Sequence, residues 1–291
     1  MDLPRFPEFK RVGLEDKEAI EGFIDRFPSE ACEVNFANIY TWRDYERTRF
    51  TTINGNLCLL SRPGSDPAFF LPPLGTNRIK ETIEACLSFC PRLSCVPESF
   101  LQQCQGFRWE EDKNNFDYVY RSSDLINLRG KKYDGKRNRI KKFENSCSSR
   151  YLRLRPEHLR ACQLLYEDWY AAKIRQDGQI GQAQRVAVLE ALARFDELNL
   201  VGGAVEVKGR LEAFSIGGKL NADTAVIHIE ITNPAYEGLA QFINREFVKN
   251  EWAGYKYINR EQDMGVAGLR RAKMSYYPSH LVKKFNIYGM K

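Results

Sequence analysis

The spacing of hydrophobic residues predicts the same order of elements twice along the chain. The segments VGLEDKEAIEGFIDRF, starting at Val12, and LRPEHLRACQLLYEDW, starting at Leu154, align with one constant shift. Each follows a short predicted strand, and each places apolar residues on one face of a helix. Amphipathic helices in equivalent places indicate an internal repeat. The two apolar faces are formed by Ala19, Ile20, Phe23, Ile24 and Phe27, and by Ala161, Cys162, Leu165, Tyr166 and Trp169.

Turn glycines predict a hairpin after each of these helices. Asn54-Gly55 lies between two apolar runs in the first half, and Lys208-Gly209 does so in the second. The second hairpin continues into a strand at 224–232, whose apolar residues alternate with other residues. Helices are predicted at 77–89 and 239–252, and a last strand at 255–261. The predicted order is therefore β-α-β-β-β-α-β in each half.

This order resembles that of acyl-CoA N-acyltransferases, called GNAT-like below, and its duplication resembles the Fem-type aminoacyltransferases, which use aminoacyl-tRNA. The strings GKKYDGKRNRIKKFEN, GRLEAFSIGGKL and INREQDMGVAGLRRAKMSYYP are similar to an uncharacterised bacterial family related to the C-terminal domain of phosphatidylglycerol lysyltransferases. The likeness in sequence covers residues 124–285. Compared with that family's pattern, Gln262 replaces an acid, Ala267 a glutamate and Tyr277 a basic residue.

The resemblance implies an α+β protein with two tandem GNAT-like domains, each a mixed, mostly antiparallel sheet flanked by helices. The predicted boundaries are 1–123 for the N-terminal domain, 124–148 for a basic helical linker, and 149–291 for the C-terminal domain. We expect the first half to be a structural partner of the second, because Pro72-Pro73-Leu74-Gly75-Thr76 before its helix is a poor phosphate-binding loop.

The composition excludes several classes of protein. Of the 291 residues, 43% are hydrophobic and 28% are charged, which is typical of a globular chain. Apolar runs end long before the roughly 18 residues that a membrane span needs, and the N-terminal residues lack the pattern of a signal peptide. We therefore expect a cytoplasmic protein without integral membrane contact. Eight cysteines without a C-x-x-C pair, and three distant histidines, predict buried thiols and no metal site.

The net charge of +6 comes from one segment. KKYDGKRNRIKK carries seven basic residues against Asp134 alone, and Ile140 and Phe143 are predicted to face the core from the same helix. Such a run indicates a polyanionic partner, and a solvated helix between two domains is the alternative. The basic residues are Lys131, Lys132, Lys136, Arg137, Arg139, Lys141 and Lys142.

The fold that the resemblance implies has two parallel strands that diverge to form a cleft, here 224–232 and 255–261. His228 and Glu230 share one face of the first strand, and they are candidates to deprotonate or orient an amine. A hydrogen-bonded polar pair at an interface is the alternative. Asn259 and Glu261 end the second strand, where they either bind the amino group of an aminoacyl donor or cap the turn that contains Asp263.

The loop at 233–240 is a weak candidate for a pyrophosphate site. Tyr236 and Gly238 open the following helix, but Glu237 would repel a phosphate. After the second cleft strand, Arg270, Arg271 and Lys273 are followed by Tyr276, and cations beside an aromatic ring suit nucleic-acid contact. Ordinary packing of the tyrosine is the alternative.

Together these features predict an aminoacyltransferase that uses aminoacyl-tRNA as donor, with tRNA as partner and a small amine, a peptide or a lipid as acceptor. No tightly bound cofactor is expected. Two alternatives are an N-acetyltransferase that uses acetyl-CoA and a non-catalytic binding protein of the same fold.

Overall fold

A computed structural model describes residues 3–173 and 178–289. Within it, short 3-10 turns lie at Leu14–Asp16, Glu98–Cys104, Lys113–Asn115 and Lys131–Tyr133. In chain order, the strands and α-helices are β1 (Lys10–Arg11), α1 (Lys17–Arg26), α2 (Phe36–Glu46), β2 (Arg49–Ile53), β3 (Asn56–Ser61), β4 (Phe69–Phe70), α3 (Ile79–Phe89), β5 (Leu93–Pro97), β6 (Arg108–Glu111), β7 (Asp117–Arg121), α4 (Ser122–Asn127), α5 (Asp134–Ser146), β8 (Ser149–Arg153), α6 (Pro156–Lys173), α7 (Gly178–Ala193), β9 (Val201–Val207), β10 (Arg210–Lys219), β11 (Thr224–Thr232), α8 (Leu239–Glu251), β12 (Tyr257–Asn259), α9 (Ala267–Met274), β13 (His280–Val282) and β14 (Lys284–Tyr288).

The chain divides into two units by its contacts. Unit 1 consists of residues 1–117, 262–270 and 281–291, and unit 2 consists of residues 118–261 and 271–280. One seven-stranded sheet has the order β1-β2-β3-β4-β5-β14-β6, and the other has the order β13-β7-β12-β11-β10-β9-β8. In the first, β4 and β5 are parallel; in the second, β11 and β12 are parallel. The predicted tandem GNAT-like fold is confirmed.

Each half has one helix more than the predicted order. α2 and α7 come between the first helix and the hairpin, so the order is β-α-α-β-β-β-α-β in both halves. The buried residues of α2 lie in its first turns, Phe36 to Tyr40, so its sequence shows little helical periodicity. The helix begins where the Asn35 side chain accepts hydrogen bonds from the amides of Ala37 and Asn38.

Both hairpins have the predicted turns. Asn54 and Gly55 connect β2 to β3, and Lys208 and Gly209 connect β9 to β10. All four residues have φ between 51° and 80°. Two central residues with positive φ match the twist of paired strands, which is why Asn-Gly marks this turn so well.

Two strands lie in the sheet of the other half of the chain: β14 in the first sheet and β7 in the second. β14, from the end of the chain, lies between β5 and β6, while β7 pairs with β12 in the other sheet. The predicted boundaries at 123 and 148 follow chain order and stay a prediction. By contacts, the segment 124–148 is part of unit 2. Ile140 and Phe143 on α5 are buried in its core, as their spacing predicted.

Helix α8 is the main helical support of the unit 2 core. Its apolar residues recur at helical spacing, and each buried side chain of this size contributes roughly 1.5–3 kcal/mol. A buried asparagine, Asn244, lies among them. The buried apolar residues are Leu239, Phe242, Ile243, Phe247 and Val248.

Across 3–173 and 178–289, each helix is either too short or too polar to cross a membrane. The eight cysteines are all free thiols; seven are buried and Cys147 is partly exposed.

Candidate active site

Strands β11 and β12 start side by side and then separate, as predicted. Beyond Asn259 the chain stays beside β7. The Arg260 amide donates to the Tyr118 carbonyl (2.9 Å), and the Tyr118 amide donates to the Glu261 carbonyl (3.2 Å). β11 instead continues to its end beside β10. A gap therefore opens in the backbone pairing of this sheet, after the pairs Thr224↔Tyr257, Ala225↔Ile258 and Val226↔Asn259.

His228 and Glu261 connect the two strands across this gap. The Nδ1 atom of His228 lies 2.8 Å from Oε1 of Glu261. A carboxylate only accepts hydrogen bonds, so Nδ1 carries a proton, and in the neutral imidazole Nε2 keeps its lone pair. Nε2 is buried and has no hydrogen-bond partner among the described residues. The sequence thus placed His228 correctly on the strand, and the structure adds the carboxylate that orients the ring.

Glu230 has a different set of partners. Its Oε1 accepts a hydrogen bond from Nη2 of Arg260 at 3.2 Å, and its Oε2 accepts one from Nδ2 of Asn244 at 3.0 Å. The side chains of Glu230 and Arg260 are only 19% and 14% exposed. Both oxygens are engaged, one by Arg260 and the other by Asn244, so the geometry favours His228 over Glu230 as a proton acceptor.

The backbone at Glu261 is held in a conformation that side chains rarely adopt. Its φ is +57°, which costs roughly 1–2 kcal/mol for a residue with a Cβ atom. Oδ1 of Asn259 accepts a hydrogen bond from the Glu261 amide at 2.7 Å. The ammonium of Lys273 donates to the carbonyls of Arg260 and Glu261. Asn259 and Lys273, predicted to bind substrate and nucleic acid, thus hold the turn that presents the Glu261 carboxylate.

Two cations lie close to the ring of Tyr276. The guanidinium carbon of Arg260 is 4.9 Å from its centroid, and the ammonium of Lys136 is 4.0 Å from it. Lys136 also donates to Oγ of Ser275 at 2.6 Å. Burial, together with the nearby charges of Arg260 and Arg139, lowers the pKa of Lys136 to about 8. Lys136 is therefore part of the site's electrostatics rather than a freely solvated cation.

The other basic residues of the segment 131–142 fall into two groups. Arg137 donates to the carbonyls of Leu128 and Gly130 and pairs with Asp134, so it closes the end of α4. Lys142 pairs with Glu237. The cations that are exposed and outside these ion pairs are Lys131, Lys132, Arg139 and Lys141.

The loop before α8 is occupied by packing. Gly238 has φ +89°, and a Cβ atom there would lie 2.1 Å from the carbonyl oxygen of Arg139, so only glycine fits beside α5. Tyr236 is partly buried, and its ring lies 6.3 Å from that of Phe143. Beside this loop lies an open depression of about 320 Å³, whose lining includes Lys142, Cys147, Lys208 and Tyr236.

The predicted residues beyond Glu261 divide between the two units. Asp263 and Arg270 belong to unit 1. Asp263 is buried, and it accepts hydrogen bonds from Arg270 at 2.7 and 3.0 Å and from the Gly265 amide at 2.8 Å. Arg271 belongs to unit 2 and is exposed. Asp263 and Arg270 thus form a local ion pair that stabilises the turn before α9.

The equivalent point in unit 1 carries different chemistry. β4 and β5 form one parallel pair. Two residues beyond it, unit 1 has Pro72 and Cys95 where unit 2 has His228 and Glu261. Cys95 and Glu261 share a φ of +57°, so the backbone is repeated. Burial raises the pKa of the Cys95 thiol well above its ordinary value, which keeps it protonated. An imidazole–carboxylate pair is therefore specific to unit 2 at this position.

Unit 1 contains a buried charge cluster that the sequence did not predict. The ammonium of Lys284, fully buried, donates to both oxygens of Glu33 at 2.7 Å and to Asp117 at 2.6 Å. Burial disfavours the charged lysine, but Asp117, Cys32 and Glu33 hold its pKa well above the ordinary value. Cys32, Glu33 and Asp117 are residue types that bind metal ions, and their ligand atoms lie within 4.8 Å of one another. Here the ammonium of Lys284 is the cation that balances the charge of the two carboxylates.

Arg260 and Asn244 are the site residues that sequence reasoning missed. Arg260 is two residues from Ile258, whose side chain is buried, so the two point to the same face of the strand. A cation on such an apolar face indicates that it is paired with a buried acid. Asn244 lies in the apolar stripe of α8, where a polar side chain needs a partner.

Comparisons with known proteins show the family and the fold of the chain. The family model described as "Phosphatidylglycerol lysyltransferase, C-terminal" matches residues 24–288. A search of the curated proteins gives no match. A conserved protein of unknown function from Bacteroides thetaiotaomicron is 28% identical, with a TM-score of 0.90, covering 99% of this chain and 100% of that one.

Two further solved structures show the same fold at lower identity. The C-terminal domain of a protein described as a lysylphosphatidylglycerol synthetase, from Agrobacterium fabrum, is 14% identical with a TM-score of 0.66, covering 94% of this chain and 91% of that one. L-PGS from Bacillus licheniformis is 16% identical with a TM-score of 0.66, covering 99% of this chain and 94% of that one.

Proposed function

Because the chain belongs to the phosphatidylglycerol lysyltransferase C-terminal family, we propose that it is an aminoacyltransferase. It moves an aminoacyl group from aminoacyl-tRNA to an amine or hydroxyl acceptor, carried by a small amine, a peptide or a lipid. The family and the fold support acyl transfer in general. The donor and the acceptor class are our proposal, and the names of the Agrobacterium and Bacillus proteins make phosphatidylglycerol one acceptor to test.

The imidazole–carboxylate pair in the gap between β11 and β12 is the observation that carries this proposal. Acyl transfer from an ester asks for an aligned acceptor and for removal of its proton. Glu261 orients His228 so that the lone pair of Nε2 is available. When the acceptor loses its proton to Nε2, the resulting imidazolium is stabilised by the Glu261 carboxylate.

In the transfer step, the acceptor's nitrogen or oxygen attacks the ester carbonyl carbon of the donor. The bond from that carbon to the ribose oxygen breaks, and the ribose oxygen takes a proton. The Arg260–Glu230 ion pair fixes a guanidinium beside this gap, with its charge balanced by the carboxylate, in surroundings where charges act more strongly than in water. Asn259 and Lys273 hold the turn, so the Glu261 carboxylate needs no rearrangement during the reaction.

A polyanionic donor fits the charges of α5 and the turn before it. Lys131, Lys132, Arg139 and Lys141 are exposed and belong to unit 2, the unit that contains the gap. Phosphates of an RNA backbone are the natural partners of such a row of cations. Acetyl-CoA is the weaker candidate as donor, because the loop that would hold its pyrophosphate packs Gly238 against α5 and pairs Glu237 with Lys142.

The test is a transfer assay with two labelled donors. Purified protein is incubated with tRNA charged with a mixture of labelled amino acids, or with labelled acetyl-CoA, in the presence of a pool of amines, peptides and phosphatidylglycerol vesicles. The proposal expects acceptor-dependent transfer of label from the charged tRNA above the rate of spontaneous ester hydrolysis. Transfer from acetyl-CoA alone would replace it with the acetyltransferase function, and no transfer from either donor would favour a binding protein.

A further inference from the structure

Two buried acceptor atoms near Glu230 have no hydrogen-bond partner among the described residues. They are Nε2 of His228 and Oδ1 of Asn244. Buried polar atoms are nearly always paired in folded proteins, and leaving one unpaired costs about 1–3 kcal/mol. Two such atoms in one site therefore need an explanation beyond the fold.

The identity of both atoms as acceptors follows from their neighbours. Nδ2 of Asn244 donates to the carboxylate of Glu230, and a carboxylate requires a donor, so the amide cannot be turned the other way. Nδ1 of His228 donates to Glu261 for the same reason. What remains on each side chain, Oδ1 and Nε2, accepts hydrogen bonds.

The two atoms also belong to one place in the sheet. His228 and Glu230 are two residues apart on β11, and His228 lies where the pairing of β11 with β10 shifts its register. Asn244 is fully buried and reaches the carboxylate of Glu230 from α8. His228 thus neighbours Glu230 on β11, the strand that borders the gap, and Asn244 contacts Glu230 from α8.

We propose that His228 and Asn244 form a subsite for a primary ammonium group, so that the acceptor is an amine rather than a hydroxyl. This inference rests on the proposed transfer reaction and selects between its two acceptor classes. A hydroxyl has one hydrogen to donate and satisfies one of the two atoms, whereas an ammonium has three and satisfies both. Glu261 adds negative charge beside the subsite, whereas the charge of Glu230 is offset by its ion pair with Arg260.

The chemistry then proceeds from the bound ammonium. One N–H donates to Oδ1 of Asn244, and a second proton passes to Nε2 of His228. The neutral nitrogen attacks the ester carbonyl carbon of the donor, a C–N bond forms, and the bond to the ribose oxygen breaks. After the attack the nitrogen gives a further proton to the ribose oxygen, and His228 releases to solvent the proton that it accepted.

The first experiment measures binding without any donor. Thermal unfolding is followed with increasing n-butylamine, and with n-butanol at the same concentrations. We expect butylamine to raise the midpoint and butanol not to, because they differ in their polar group. If a water molecule satisfies the two atoms instead, butylamine gives no shift and the subsite proposal is wrong.

The second experiment uses Asn244→Leu, which removes the unpaired oxygen and keeps the size of the side chain. We expect the variant to lose the butylamine shift. Asn250→Leu is the matched control, since Asn250 is exposed on the same helix and bonds within its own turn. A shift that survives in Asn244→Leu contradicts the subsite.

Binding and transfer are then compared to separate the two proposals. In the transfer assay, butylamine should accept label at least tenfold faster than butanol in the wild type. Amine binding without transfer to any acceptor contradicts the proposed function and leaves the subsite standing. Transfer that is equally fast to butanol contradicts the subsite and leaves the transferase standing.

Discussion

His228 and Glu261 approach to 2.8 Å from two strands that no longer share backbone hydrogen bonds. Where backbone hydrogen bonds between β11 and β12 end, the side chains of His228 and Glu261 connect the two chain segments instead. Glu261 occupies a left-handed conformation to make it. Strain at such a position is typical of functional sites.

Replacing the imidazole tests its role as base. His228→Gln should lower kcat/KM for aminoacyl transfer by about 10²- to 10⁴-fold, the usual contribution of general acid–base catalysis. Binding of tRNA should be unchanged, because the exposed cations of 131–141 remain. His280→Gln is the control, since His280 is an exposed histidine of unit 2. Turnover that is equal in both variants would remove His228 from the mechanism.

We expect Glu230 to contribute to the stability of the fold rather than directly to proton transfer. Glu230→Ala leaves the guanidinium of Arg260 without its carboxylate, and breaking a buried ion pair costs roughly 3–5 kcal/mol. The free energy of unfolding in urea measures this loss. The double variant Glu230→Ala with Arg260→Met should recover most of it, because no unpaired charge remains. A double variant no more stable than Glu230→Ala alone would contradict the ion pair.

The salt dependence of tRNA binding should report about four phosphate contacts, one for each exposed cation outside the ion pairs. Each phosphate neutralised on a single strand contributes about −0.7 to the log–log slope, so Lys131, Lys132, Arg139 and Lys141 together predict about −3. Lys141→Ala should reduce the slope by about 0.7. Arg137→Ala should leave the slope unchanged and lower the thermal midpoint, since Arg137 closes the end of α4. Filter binding at salt concentrations from about 50 to about 200 mM measures the slope.

Lys136 should make stability depend on pH in the alkaline range. Its pKa is lowered to about 8 in the folded protein from the ordinary value of 10.5, so between these values the unfolded chain binds the proton more than the folded one does. The free energy of unfolding therefore gains from this residue as pH rises from 8 to 10.5. Lys136→Met should lack that gain, and Lys141→Met, on the same helix and exposed, should keep it. Urea titrations at both pH values decide between these outcomes.

The buried cluster of unit 1 depends on its single ammonium. Lys284→Met leaves Asp117 buried without a cation, and we expect a loss of about 3–5 kcal/mol in stability. Asp117→Asn in the same background should restore part of it, because the uncompensated charge is removed. Lys283→Met is the control, since Lys283 is exposed and pairs with Glu98 at the surface. Equal effects of Lys283→Met and Lys284→Met would contradict the cluster.

Local patterns predicted the repeat and the hairpins, since each depends on neighbours in sequence, whereas the gap was predicted from the family resemblance. The turn at Asn54-Gly55 and the burial of Phe143 followed from spacing alone. The partners did not, because Arg260 and Glu230 meet only after the strands have paired. A run of basic residues predicts positive charge, but it does not predict which of the cations are exposed. Arg137 and Lys136 bond to other groups of unit 2, whereas Lys141 is exposed, and their spacing in the sequence does not show this difference.

The position of β14 in the first sheet means that this sheet is completed only at the end of translation. A ribosome delivers the strands β1 to β6 early, but β5 and β6 are not neighbours in the finished sheet; β14 lies between them and is made near the end of translation. While the polypeptide is still emerging, β5 and β6 lack the partner that joins them. Unpaired strand edges invite the wrong neighbours, so shielding by a chaperone would be most useful to this chain during its synthesis.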